Sequence, residues 1–234
     1  MECRNERNAA QLQSRADPRL ALSGILRLGV SETIVHTWLS GFLSALHSEM
    51  PNLDVEMTVD VTNNLCAGLL DHSLDMAFLM GPLSAPSIAN RELCTFPLIW
   101  VASPALGLPD RHIFPEELTR WPIITYARNT KPFAEMSQRF RELDGPPARF
   151  FSSSSLAACR RMTLDAVGIS SLPYVAIGKE LEEGTLVQVN STWTPSALDF
   201  TASYPTVPFN PLTELALEAA NAFDAARLAF DKKM

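Results

Sequence analysis

Long hydrophobic runs are missing from this chain, and no stretch approaches the roughly 20 apolar residues that a membrane-spanning helix needs. The first twenty residues, MECRNERNAAQLQSRADPRL, are polar and hold no apolar segment of a secretory signal. A cytoplasmic protein with no membrane partner is the expectation. Basic clusters are equally scarce. Lys and Arg number 19 against 26 Asp and Glu, a net charge of −7, and the longest basic runs are Arg160-Arg161 and Lys232-Lys233. Phosphate neutralisation requires clustered Lys and Arg, so the chain by itself is not expected to hold nucleic acid. The four cysteines, Cys3, Cys66, Cys94 and Cys159, form no CxxC pair and read as reduced thiols. No GxSxG, HExxH, Walker A or GxGxxG motif is present. His36, His47, His72 and His112 lack ligand spacing. No catalytic residue, metal or cofactor is expected.

What the chain has is a core. Apolar residues make up 47% and charged residues 19% of 234. That supports one large domain or two lobes of roughly 100 residues each. Residues 2–20 read as an exposed helix. Residues 25–30 read as a buried strand, followed by one amphipathic helix over 32–49 with Ile34, Val35, Trp38, Leu39, Phe42, Leu43 and Leu46 at helical spacing. Over 54–61, Val55, Met57, Val59 and Val61 alternate with polar residues, which predicts a half-exposed edge strand. Thr62-Asn63-Asn64 is read as the cap of a helix reaching about Asp71, and 74–80 as a buried strand. Further strands are predicted at 98–102, 122–126, 149–151, 168–172, 186–189 and 199–204. Helices are predicted at 132–143, from the Ser152–Ser155 cap to 167, and at 211–230. Strands alternating with helices predict an α/β fold with mostly parallel sheets. The same strand–helix rhythm at 25–80 and 122–172, followed by a returning strand and helix, predicts two Rossmann-like lobes with a ligand cleft between them.

The ordered set of segments carries a resemblance. GILRLGVS at Gly24–Ser31, Phe42-Leu43 with Pro51, LDVEMTV at Leu53–Val59 and the run Leu65–Phe78 resemble the effector-binding domain of LysR-type transcriptional regulators. Leu98–Pro104, Val167–Pro173, Leu181–Val187 and Asp199–Pro205 fall where that family has its second-lobe and returning elements. The resemblance implies a fold like the type 2 periplasmic binding proteins. It places the end of a linker helix at 1–22, lobe I at 23–101 and 199–234, and lobe II at 102–198. The family carries an N-terminal winged helix-turn-helix, for which residues 1–22 are too few. The implied role is the sensing half of such a regulator, touching DNA only through that missing domain.

In an open parallel sheet, ligands bind beyond the carboxyl ends of the strands, where helix N-termini offer free N–H groups. The residues there are Ser31, Glu32, Thr33, Thr62, Asn63, Asn64, Gly81, Tyr126, Arg128, Asn129, Ser152, Ser153, Ser154 and, at the end of the returning strand, Tyr204. Arg128 is the candidate partner for a carboxylate, so the expected ligand is a small organic anion; Glu32 sits awkwardly in such a site. A capping role alone explains any single Ser among them. A homodimer, extending to a tetramer in the full-length protein, is expected through His36, Ser40, Ser44, His47, Val55 and Met57 of one unit against Met136, Arg139 and Phe140 of the other. Two rival readings stand beside this one. One is a solute receptor of an uptake system. The other is an enzyme on the same two-lobed fold, for which Glu32 is the only acid or base in view.

Overall fold

Ten strands build two five-stranded sheets, and the chain crosses between them twice. The computed structural model describes residues 23–208 and 210–231, and every structural statement concerns those residues. The first part runs β1 (Gly24–Val30), α1 (Glu32–Thr37), α2 (Leu39–Glu49), β2 (Leu53–Val59), α3 (Thr62–Leu70), β3 (Met76–Met80) and β4 (Ile88–Phe96). The second runs β5 (Leu98–Ala102), α4 (Pro115–Leu118), β6 (Ile123–Tyr126), α5 (Lys131–Arg141), β7 (Phe150–Ser153), α6 (Leu156–Leu164), β8 (Ile169–Pro173), α7 (Gly178–Glu182) and β9 (Val187–Gln188). The chain returns with β10 (Leu198–Pro205) and α8 (Pro211–Asp231). The helix expected within 1–22 lies outside the described residues.

The sheet orders are β2-β1-β3-β10-β4 and β7-β6-β8-β5-β9. In each, a parallel set (β2-β1-β3, β7-β6-β8) continues into antiparallel strands (β10 and β4, β5 and β9). The sheets are therefore mixed. β4 escapes a sequence reading because its pairing with β10 slips between Phe200 and Thr201: Phe200 faces Cys94 and Thr201 faces Glu92, with Leu93 left over. That bulge breaks the period-2 alternation by which a strand is recognised. β5 pairs in the second sheet, so the first crossing falls at Pro97, and residues 98–101 lie on the other side of it from where the sequence reading put them.

The single helix expected over 32–49 is two. The Thr37 hydroxyl donates to the Thr33 carbonyl (2.7 Å), a side-chain bond that competes with the helical ladder, and the chain turns at Trp38. The turn drops the Trp38 ring into the first core, stacked on Phe42 (5.2 Å) and edge-on to Phe78 (5.1 Å). Leu26, Leu28 and Val30 of β1 join this core with no exposure. The second part has its own core, in which Trp100 meets Phe140 and Trp193 (both 6.3 Å) and the Trp100 indole N–H donates to the Trp193 carbonyl (2.9 Å).

Gly81 has a packing role. A Cβ there would collide with the hydroxyl of the buried Thr201 and lie 2.8 Å from its methyl, whereas a Cβ at Gly178 would meet nothing. Gly81→Ala is expected to destabilise the fold by about 1–3 kcal/mol, the scale of overpacking. Gly178→Ala is expected to leave stability unchanged or slightly raised. Urea unfolding of the two variants checks the contrast.

Candidate functional site

The loops that follow β1, β2, β6 and β7 meet around a cavity of about 60 Å³ between the two sheets. Ser31, Glu32 and Thr33 come from the first loop and Asp60, Val61 and Thr62 from the second. Tyr126, Ala127 and Thr130 come from the third, and Ser153, Ser154 and Leu156 from the fourth; Met80 and Phe200 complete the wall. At roughly 10–15 Å³ per water, the space holds a few waters or an ion of acetate size. A larger ligand requires the lobes to part. The wall carries hydroxyls and two carboxylates, and no Lys or Arg.

One of those carboxylates joins the lobes. Glu32, in the first turn of α1, reaches across to the amino end of α6. Its Oε1 accepts from the Ser155 hydroxyl (2.9 Å) and the Ala157 N–H (3.4 Å), and its Oε2 accepts from the Leu156 N–H. Ser155 caps the same helix by accepting from the Ala158 N–H (3.1 Å). The first three N–H groups of α6, unsatisfied in any isolated helix, are thus all taken, two of them by a carboxylate from the other lobe. His36, one turn along α1, lies 3.3 Å from the same oxygen. At the mouth, the Asn63 side-chain amide donates to the Asn129 carbonyl (3.2 Å), a second bond across the cleft. Asp60 turns to its own lobe, accepting from the Val61 N–H (2.7 Å) and the Asn64 amide (2.9 Å).

Tyr126 closes the far wall. It belongs to the second sheet but packs against the first core, and its hydroxyl oxygen is buried with no hydrogen-bond partner among the described residues. Burial holds this hydroxyl well above the ordinary phenol range, with the nearby Cys159 adding to the effect. Burial also pushes the Cys159 thiol up to about 12, helped by the Glu32 charge, and the thiol lies 3.5 Å from the Thr125 carbonyl. A thiol so placed is a poor nucleophile. Cys66, Cys94 and Cys159 are free of disulfides.

Of the residues expected at the site, Ser31, Glu32, Thr33, Thr62, Tyr126, Ser153 and Ser154 line the cavity. The others do not. Asn63 and Asn129 form the mouth contact, and Asn64 braces Asp60. Thr62-Asn63-Asn64 is the first turn of α3 and not its cap, which is Val61. Gly81 packs on Thr201. Arg128 is exposed, its guanidinium 5.3 Å from the Phe133 ring centroid, so the expected carboxylate partner points away from the cavity. Ser152 pairs with Thr125 in β7 and is exposed. Tyr204 lies near the end of β10, beside Ala89, Arg91 and Leu217 in a different pocket. Asp60, Val61, Met80, Ala127, Thr130, Leu156 and Phe200 are additions. Thr130 and Leu156 each sit at the start of a helix after a strand, the signal that picked out their neighbours.

The expected interface divides as well. His36, Ser40, Ser44 and His47 are exposed, Val55 is half-buried, and Met57 is 50% exposed on the edge strand β2. Met136 and Phe140 are buried in the second core, and Arg139 lies over the Trp193 ring at 5.9 Å. They occupy the inner side of α5. Its outer side carries Lys131, Ala134, Gln138 and Arg141.

The LysR substrate binding domain family matches residues 20–221. The chain belongs to that family. Among curated proteins, the HTH-type transcriptional regulator PtxR of Pseudomonas aeruginosa is 27% identical over 194 residues, covering 81% of this chain and 61% of PtxR. The regulator CzcR of Bacillus cereus is 26% identical over 155 residues, covering 66% of this chain and 51% of CzcR. The chain thus spans about half to three-fifths of the length of these relatives. Among solved structures, the bromide-bound regulatory domain of HypT from Salmonella typhimurium superposes with a TM-score of 0.70 at 18% identity, over 88% of this chain and 97% of that one. It shares the two-lobed fold of type 2 periplasmic binding proteins. The LysR-family relatives are regulators of transcription, not enzymes.

The bridging serine of this LysR-type domain separates from its exposed neighbour in stability. Ser155→Ala loses a helix cap and one Glu32 contact and is expected to cost about 1–2 kcal/mol. Ser152→Ala is expected to stay within about 0.5 kcal/mol. Thermal melts of both variants against the parent check this.

Proposed function

We propose that this LysR-type domain senses a small carboxylate effector bound in the cleft between its lobes. The carrying observation is that the amino end of α6 already holds a carboxylate inside that cleft, which accepts from a hydroxyl and two backbone N–H groups. Ser31, Thr33, Thr62, Thr130, Ser153 and Ser154 line the same cavity, and hydroxyl side chains of this kind can hydrogen-bond the rest of a small ligand. In the place of the Arg expected from sequence stands the partial positive charge of a helix end.

In the whole cytoplasmic regulator, cleft movement is passed to DNA through a homodimer and an N-terminal helix-turn-helix. The exposed apolar side chains of β2, Met57 (50%) and Val59 (52%), and the polar stripe of α1 and α2 form one half of the dimer face. The outer side of α5 forms the other, and a two-fold axis pairs the two halves twice. The solute-receptor reading is not favoured, because the chain belongs to the LysR substrate binding domain family and PtxR and CzcR are HTH-type transcriptional regulators. Nor is the enzyme reading, since Glu32, its one candidate acid or base, is engaged with α6.

A panel of small carboxylates is expected to raise Tm saturably, by about 2–4 °C per kcal/mol of linkage stabilisation, while matched amines and neutral polyols leave it unchanged. A panel in which only amines or polyols act overturns the carboxylate assignment. Sedimentation at micromolar concentration is expected to give a dimer that Met57→Glu converts to monomer; a monomeric parent protein removes the interface.

A further inference from the structure

Glu32 stands out once the cleft is read as an effector site. A pocket for an anion is expected to hold cations, yet its wall has no Lys or Arg and two carboxylates. Asp60 is occupied locally, accepting from the Val61 N–H and the Asn64 amide of its own lobe. Glu32 instead takes the anion-binding groups of the opposite lobe: the Ser155 hydroxyl and the Leu156 and Ala157 N–H groups. α6 is nine residues long, enough for a developed end charge. A second, independent feature lies in the same wall: Tyr126, one of its residues, carries a buried hydroxyl with no hydrogen-bond partner among the described residues, a polar group left for a ligand to satisfy.

We propose that Glu32 is a tethered ligand of this domain: its carboxylate fills the anion subsite and holds the lobes closed, and an effector enters by exchange of one carboxylate for another. The proposal rests on the carboxylate reading above and adds the competitor. The side chain is built to leave. It is 21% exposed, and on opening, His36, already 3.3 Å away on its own helix, remains its neighbour. The vacated N–H groups of α6 then face the incoming anion. A tethered group competes at an effective concentration in the millimolar range for a short linker, so the tether sets the threshold of the sensor. It also sets its selectivity. A carboxylate that merely equals Glu32 gains little, and one that also engages the Tyr126 hydroxyl or the Ser and Thr side chains of the opposite wall wins the exchange.

The test uses acetate, the terminal fragment of the Glu side chain, on the Glu32→Ala variant. The variant is expected to melt below the parent. Sodium acetate, against sodium chloride at equal ionic strength, is expected to restore about 2–4 °C saturably at several times its Kd. The parent is expected to show no such shift, because its own carboxylate occupies the subsite. Glu32→Gln keeps the acceptor oxygen and loses the charge. It is expected to melt between the two and to bind any active member of the carboxylate panel about tenfold or more tightly than the parent. If Glu32→Ala does not fold, the Gln variant's unchanged or weaker affinity overturns the tether by itself. Acetate acting equally on parent and Ala variant, or on neither, also overturns it. If acetate rescues the Ala variant while the panel is silent on the parent, the tether stands and the carboxylate-effector reading falls. If the panel acts on the parent and acetate fails to rescue, the tether falls and the effector reading stands.

Discussion

The Glu32 carboxylate belongs to the first lobe and sits on the amino end of a helix in the second. The lobes have separate cores and are joined by two chain crossings, so their relative position depends on what bridges the gap. Among the described residues the bridges include the Glu32 contacts, the Asn63–Asn129 bond at the mouth, the packing of α1 against residues 174–176, and the Tyr126 ring against the first core. Only the first involves charge. Hydrogen bonds to a charged group contribute about 1.5–3 kcal/mol each at most, and opening the cleft exchanges them for water. The Glu32 contacts therefore contribute at most a few kcal/mol to holding the lobes in this arrangement.

That magnitude suits a sensor. A ligand shifts an equilibrium only by its differential affinity for the two states, and micromolar binding supplies about 8 kcal/mol in total. A closure worth a few kcal/mol is within reach of a small molecule. A closure built from a continuous apolar core, such as the Trp38–Phe42–Phe78 cluster, is not, because removing one such ring costs about 3–5 kcal/mol. The fold keeps the Trp38–Phe42–Phe78 and Trp100–Phe140–Trp193 clusters within lobes and leaves between them the Tyr126 ring, hydroxyls and the Glu32 carboxylate.

The division between what sequence reveals and what it hides follows the range of each interaction. Ser31, Thr62 and Ser153 were legible because a strand followed by a hydroxyl residue and a helix is a local pattern, and topology then brings such ends together. Arg128 misled because charge type is local but direction is not: the Phe133 ring, five residues on, holds it outside. Met136 and Phe140 misled because a helix face reads as apolar whether it meets its own core or a partner. β4 was hidden by one extra residue, Leu93, which shifts the alternation. Glu32 was visible as an oddity, and its partner, more than 120 residues away, was not.

Glu32 covers the Leu156 and Ala157 N–H groups. In an isolated first helical turn these groups are open to water and exchange freely. Amide hydrogen exchange resolved at these two residues, in the parent and in Glu32→Ala, measures the cover directly. Strong protection of both amides in the parent, lost by tenfold or more in the variant while buried β1 is unchanged, is the predicted result. Equal protection in the two proteins, or none in the parent, contradicts a Glu32 bridge between the lobes.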